Sequence, residues 1–240
     1  MTNLLYLEDF SKLNCEAHVI DITEENGLTI IKLDQTIFYP QGGGQPYDQG
    51  VIESGLNLFK VQEVRMVDNL VKHIGIFEKG KFNMGDEVRC KVDIIRRELN
   101  NRIHSAGHII DATLEHMGIN WVPGRGYHFP ESPFVEYAGN LEGIDVVDIQ
   151  KKLEEECNQM INKALETKIV FMNQDEMRTK FKFEPKALPD GQLARIIYFG
   201  DFGIPCGGTH VISTDIIGNM IIKKIKQHKD IIRIAYDVAR

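Results

Sequence analysis

Asp93-Ile94-Ile95-Arg96-Arg97-Glu98-Leu99-Asn100-Asn101-Arg102-Ile103-His104-Ser105-Ala106-Gly107-His108 is where the apolar period of this chain changes. Ile94, Ile95, Leu99, Ile103, Ile110 and Leu114 recur at helical spacing, Asp93 suits an N-cap, and Gly118 suits a C-terminal stop. The spacing predicts a helix over 93–118 that carries His104 and His108 one turn apart on one face. Gly107 inside it weakens the helix by about 1 kcal/mol relative to alanine, and leaves room for another segment or a substrate to come close.

Upstream of Asp93 the pattern is that of strands. Residues 18–22, 28–33, 60–64, 70–74 and 87–92 are short apolar runs, separated by turn pairs such as Asn26-Gly27, Ser54-Gly55, Asp68-Asn69 and Lys79-Gly80. Short strands at this spacing predict a small β-barrel that 87–92 closes. Within this half lies Gly42-Gly43-Gly44, flanked by Tyr39, Gln41, Gln45 and Tyr47. No Gly-Lys-Ser/Thr follows, so it is not a phosphate loop. Consecutive glycines in a shaped loop point to a close approach to the backbone.

Downstream, 119–140 reads as loops with strands around Trp121, Arg125 and 134–137. A second amphipathic helix is expected over 145–167, then a strand at 168–172 and a short helix over 175–181. Strands follow at 195–199, 218–227 and 230–236. The expected fold class is α+β, with domains 1–92 and 93–240.

A chain of 240 residues with 42% hydrophobic and 26% charged residues is ordinary for a globular protein. It holds no apolar run of about 18 residues, and the first residues lack a basic leader. A cytoplasmic protein, with no membrane contact and no obligate protein partner, is expected. The net charge of −7 argues against a general nucleic-acid coat but leaves room for a local basic track. Cys15, Cys90 and Cys157 read as buried apolar fillers. Cys206 alone stands beside a histidine at ligand spacing.

That pair lies in Pro205-Cys206-Gly207-Gly208-Thr209-His210-Val211. With His104 and His108 it offers one thiolate and three imidazoles, a tetrahedral set for one zinc ion per chain. Four protein ligands are typical of a closed structural site, whereas a histidine-dominated set lies closer to the catalytic type. Both readings stand at this point. His128 is a candidate to line a pocket; His18, His73, His116 and His228 read as packing or surface residues.

The two metal motifs together resemble the editing domain of alanyl-tRNA synthetase and its free-standing relatives, the AlaX proteins. Residues 34–50, with the triple glycine, are similar to the glycine-rich motif of that family's N-terminal barrel, and the length resembles the medium-length AlaX type. The resemblance implies a translation-factor-like barrel followed by an editing domain of the second-additional-domain type of threonyl- and alanyl-tRNA synthetases, with an antiparallel sheet and two long helices. It implies trans-editing: hydrolysis of the ester joining a wrong amino acid, chiefly serine with glycine as a second candidate, to alanine tRNA. His104, His108, Cys206 and His210 would be the zinc ligands. Thr36, Gln45 and the Gly42, Gly43, Gly44 loop would approach the same pocket, with Thr36 helping to read the serine hydroxyl. Arg96, Arg97, Arg102, Arg125, Lys223, Lys224, Lys226 and Lys229 are candidate contacts to the mischarged alanine tRNA. A non-catalytic RNA-binding module with a structural zinc is the competing class.

Overall fold

In the computed structural model, which describes residues 1–181 and 193–239, the chain divides into two compact units, Met1–Glu98 and Leu99–Arg240.

The first unit begins with β1 (Asn3–Leu4) and the single turn α1 (Leu5–Glu8). The strands that follow are β2 (Asn14–Glu25), β3 (Leu28–Leu33), β4 (Gln35–Thr36), β5 (Gly50–Ser54), β6 (Asn57–Val67), β7 (Leu70–Lys79) and β8 (Glu87–Val92). Six of them close an antiparallel barrel in the order β2-β3-β7-β6-β5-β8. Side chains alternate across a strand, so Cys15, Ala17 and Val19 of β2 and Val88, Cys90 and Val92 of β8 all point into the core. The β2–β3 and β6–β7 hairpins turn on Asn26-Gly27 and Asp68-Asn69, all four in the left-handed region. A two-residue turn that matches strand twist requires this.

A fully buried ion pair lies beneath the glycine-rich loop. Arg97 Nε stands 3.1 Å from both oxygens of Asp48, and its Nη2 pairs with the same carboxylate. The guanidinium also donates to the carbonyls of Phe10 (3.0 Å) and Ile37 (2.7 Å), and Asp48 accepts the Tyr39 N–H at 2.7 Å. One arginine thus ties three segments of the unit together. Arg97 is a candidate phosphate contact on the sequence; its burial and its three internal partners exclude that.

His73 of β7 is buried in the same unit. Its Nδ1–H donates to Ile31 O at 2.9 Å, so Nε2 carries the lone pair and accepts the Thr36 hydroxyl at 2.8 Å. Burial, opposed only in part by the Ile31 carbonyl, pulls its pKa down to about 4. A group depressed on folding stabilises the native state above its unfolded pKa, near 6.5, and loses that contribution as pH falls through about 4. This one histidine should remove about 3 kcal/mol across that window. Denaturant titrations at pH 7 and pH 4.5 should show a shallower loss for His73→Gln than for the wild type. An equal loss would exclude His73 as its source.

The second unit takes in most of α2 (Ile94–His116). Asp93 Oδ1 accepts the Arg96 N–H at 3.1 Å at the start of that helix, and Gly118 ends it at φ 70°. Then come β9 (Val122–Tyr127), β10 (Phe134–Ala138), α3 (Val146–Ile161), β11 (Thr167–Met172) and α4 (Gln174–Lys180). From residue 193 onward come β12 (Ala194–Phe199), β13 (Phe202–Pro205), a 3-10 turn at Thr214–Ile217, β14 (Met220–His228) and β15 (Ile231–Val238). An antiparallel sheet runs β14-β15-β10-β9, and a second runs β11-β12-β13.

The second helix is shorter than its expected 145–167. Asp145 caps it, accepting the Val147 and Asp148 N–H groups, but Ala164 turns left-handed at φ 50°. The next N–H, that of Leu165, goes to Thr214 Oγ1 at 2.9 Å. Asn158 of α3 clamps β14, donating to Met220 O (2.9 Å) and accepting its N–H (2.8 Å). A barrel, two antiparallel sheets and four helices among the described residues make the fold α+β. Among those residues no helix is long and apolar enough to cross a membrane.

Candidate metal centre

His104 and His108 stand on α2; Cys206 and His210 stand on the loop that leaves β13. One ligand atom from each lies within 4.8 Å of the others. Cys206 Sγ is 3.5 Å from His104 Nε2, and the imidazole centroids are 4.5 Å (His104–His210), 4.9 Å (His104–His108) and 5.2 Å (His108–His210) apart.

The loop is pinned from both sides. Arg195 of β12 donates through Nη1 to the carbonyls of Cys206 (2.7 Å) and Gly208 (2.9 Å), while the Cys206 N–H returns to Arg195 O at 3.1 Å. On the helix side, Thr209 Oγ1 donates to Asn101 Oδ1 at 2.5 Å, and the Val211 N–H reaches Ser105 Oγ at 3.1 Å. Asn101 and Ser105 share the helix face of His108, so these bonds set the register of the loop against the two histidines.

His108 is oriented from behind. Its Nδ1–H donates to Asp111 Oδ2 at 3.2 Å, and the other oxygen of Asp111 accepts the Tyr137 hydroxyl at 2.5 Å. Nε2 is then the ring atom left for another partner, buried and without a hydrogen bond among the described residues. A histidine held by a carboxylate in this way is the usual support for a metal ligand. Burial alone lowers the pKa of His108, but Asp111 and Cys206 outweigh it and bring it to about 9. Burial alone raises the Cys206 thiol, but His108, the Gly208 N–H and Arg195 outweigh it and leave the thiol lowered. His104 and His210 are held well below the usual histidine range, by burial first and neighbouring imidazoles second. A favoured thiolate, two neutral imidazoles and a third, His108, whose proton a bound ion would displace, make the donor set that a zinc ion takes. The four residues fit the metal.

His128 makes a fourth imidazole beside the cluster. Its ring stacks on His104 with centroids 4.4 Å apart. Tyr236 donates its hydroxyl proton to Ile103 O (2.9 Å), so its oxygen accepts from His128 Nδ1–H (2.7 Å) and Nε2 keeps the lone pair. Burial, with the charge of His108, lowers the pKa of His128 to about 3. Gly107 makes this possible: a Cβ there would stand 2.6 Å from His128 Cε1. The close approach expected at Gly107 is that of the His128 ring.

The other residues singled out on the sequence are described unit by unit. In the first unit, Gly43 and Gly44 take φ 53° and 78° at the tip of a hairpin closed by Gly42 and Gln45, and the Tyr39 hydroxyl donates to Gly42 O at 2.9 Å. Gln45 and Thr36 are buried there. Arg96 donates to Tyr47 O at 2.8 Å and covers that ring. In the second unit, Arg102 is tied to the carbonyls of Ile217 (2.9 Å) and Ala239, and Lys223 pairs with Asp237 at 2.5 Å. Arg125, Lys224, Lys226 and Lys229 are exposed. Arg195 and Asp111 escaped sequence reading. Each had a signal: a cation inside an apolar strand run, and a carboxylate three residues beyond a ligand histidine.

A family model described as tRNA synthetases class II (A) matches residues 7–96. The alanine–tRNA ligase of Methanosarcina barkeri is 30% identical over 234 residues, which is 95% of this chain and 25% of that enzyme. That of Haloquadratum walsbyi is 30% identical over 92% of this chain and 24% of its own length. The Clostridioides difficile enzyme is 32% identical over 83% of this chain and 23% of its own length. The chain is thus similar to alanine–tRNA ligases along most of its own length, in keeping with the AlaX resemblance, and spans about a quarter of the length of the curated relatives it matches.

Proposed function

We propose that this chain is a zinc-dependent, trans-editing aminoacyl-tRNA deacylase of the cytoplasm. It would hydrolyse the ester joining a wrong amino acid, serine above all, to alanine tRNA. In this reading 1–92 is the glycine-rich-motif barrel domain and 93–240 the zinc-binding editing domain. The observation that carries it is the His104, His108, Cys206 and His210 cluster, in a chain that aligns with alanine–tRNA ligases along most of its length.

When bound, zinc supplies Lewis acidity toward a carbonyl or water, or an anchor for the amino group of the substrate. The four ligands hold it. Cys206, as a ligand, is not a nucleophile, and hydrolysis needs no covalent intermediate. Asp111 fixes His108 in the ligating tautomer, and His128 presents a lone pair beside His104. The need for such a site is physical: a pocket that admits alanine rejects serine poorly, because an added hydroxyl is a weak ground for exclusion.

The outward face of the β14-β15-β10-β9 sheet supports the RNA part. Its register sets Tyr127, Phe134, Ala235 and Lys224 in one row and Glu136, Arg233 and Lys226 in the next. Tyr127 stacks on Phe134 at 5.3 Å, Arg233 lies 4.1 Å over Phe134, and Arg125 covers both rings. Aromatic faces interleaved with cations suit bases and phosphates of an RNA end. Each phosphate contact among Arg125, Lys224 and Lys226 that is changed to alanine should lower the salt dependence of tRNA binding by a slope of about 1. A salt-independent affinity would contradict this.

The competing reading, a tRNA-binding module with a structural zinc, draws on the closed count of four protein ligands. Incubation with seryl-, glycyl- and alanyl-tRNA(Ala) separates the two. Loss of the seryl ester well ahead of the alanyl ester is expected. A zinc-loaded protein that leaves all three esters intact would be the binding module.

A further inference from the structure

We infer that Asn100 reads the side-chain hydroxyl of the amino acid to be removed. This inference rests on the deacylase reading. Asn100 is 1% exposed, and neither Nδ2 nor Oδ1 has a hydrogen-bond partner among the described residues. Buried amides are normally paired, and one with both ends open is a place where something else binds. Its location says where. Asn100, His104 and His108 follow at four-residue steps, so Asn100 lies one turn before the first metal ligand on the same ridge of α2. The next residue, Asn101, faces the Cys206–His210 loop and is bonded to Thr209.

The chemistry of the amide selects the ligand. Nδ2 only donates and Oδ1 only accepts. An ammonium group could satisfy the oxygen alone, and an ester carbonyl the nitrogen alone. A hydroxyl both donates and accepts, so the serine side chain can serve both ends of Asn100 together. Alanine and glycine cannot, and would leave the amide unpaired. A site built this way discriminates by the presence of the hydroxyl, by factors of up to about 10⁴.

The first unit holds the other hydroxyl-reading candidate, Thr36, and its group is already engaged. It donates to His73 Nε2 at 2.8 Å and accepts the Phe38 N–H at 3.0 Å. Asn100 has no such engagement among the described residues.

The test compares kcat/KM for seryl- and glycyl-tRNA(Ala) in the wild type and in Asn100→Leu, with zinc content and melting temperature measured on both proteins. The expected result is a fall of about 10-fold or more in the seryl-to-glycyl ratio, with zinc retained. An unchanged ratio, or a parallel fall for both esters, would overturn the assignment. Asn100→Ala, judged by the same ratio, serves if the leucine variant does not fold. A wild-type protein that hydrolyses neither ester overturns the deacylase reading and this inference with it. A wild type that prefers the seryl ester, beside a variant that keeps the same preference, overturns only the role of Asn100.

Discussion

Replacing Cys206 with alanine should remove the bound zinc and ester hydrolysis together. The thiolate is the one anionic donor in the cluster, and the groups around it favour that charge: His108, the Gly208 N–H and Arg195. Without it three imidazoles remain, a set that holds zinc only with a further ligand from solvent or substrate. Losing an outer partner of a ligand typically costs about 10–100-fold in metal affinity or activity, so losing a ligand itself should cost more than about 100-fold. Asp111→Asn, which weakens the support of His108 without removing a donor, should fall within that smaller range. Metal content by elemental analysis and ester release from seryl-tRNA(Ala) on the same preparations check both. Cys206→Ala with full zinc and full activity would refute the ligand assignment.

The second large effect is expected in the stability of the barrel unit. Asp48→Ala should destabilise the barrel unit by about 3–5 kcal/mol, because it leaves the Arg97 guanidinium buried without a counter-charge. The carbonyls of Phe10 and Ile37 would still accept from Arg97, but they carry no compensating charge. Asp48 also holds the Tyr39 N–H, so the glycine-rich loop should loosen in the same variant. The midpoint of denaturant unfolding reads the loss directly. A change below about 1 kcal/mol would mean that the pair contributes little. Arg97→Met should be better tolerated than Arg97→Ala, since methionine fills the buried volume without charge.

Arg97 also shows where sequence reading stopped. On a helix with Arg96 and Arg102, an arginine looks like a surface cation, and nothing in its spacing reveals that Asp48 lies against it. Long-range pairing is absent from local pattern. The barrel strands, by contrast, were readable, because each buries one face and the two-residue turns demand left-handed residues such as Asn26-Gly27 and Asp68-Asn69. The helix α2 was readable from its period and both of its ends.

The four candidate ligands were readable as two motifs but not as a pocket. What assembles them is a set of single side chains with no motif of their own: Arg195 behind the loop, Asn101 and Ser105 on the helix, and Asp111 behind His108. The short strand β13 was missed for a related reason: its Phe202-Gly203-Ile204-Pro205 sequence has no alternation, and its pairing with β12 makes it a strand. His128 was ambiguous until Gly107 could be seen accommodating its ring.

The central claim is that hydrolysis of a mischarged ester depends on the metal that these four residues hold. Its most direct test follows serine release from seryl-tRNA(Ala) by one preparation that is zinc-loaded, then stripped with a chelator, then reloaded with one equivalent of zinc. Loss of activity on stripping and its return on reloading, in step with bound zinc, is the expected result. Full-rate serine release by the stripped protein, or none by the fully loaded protein, would contradict the claim.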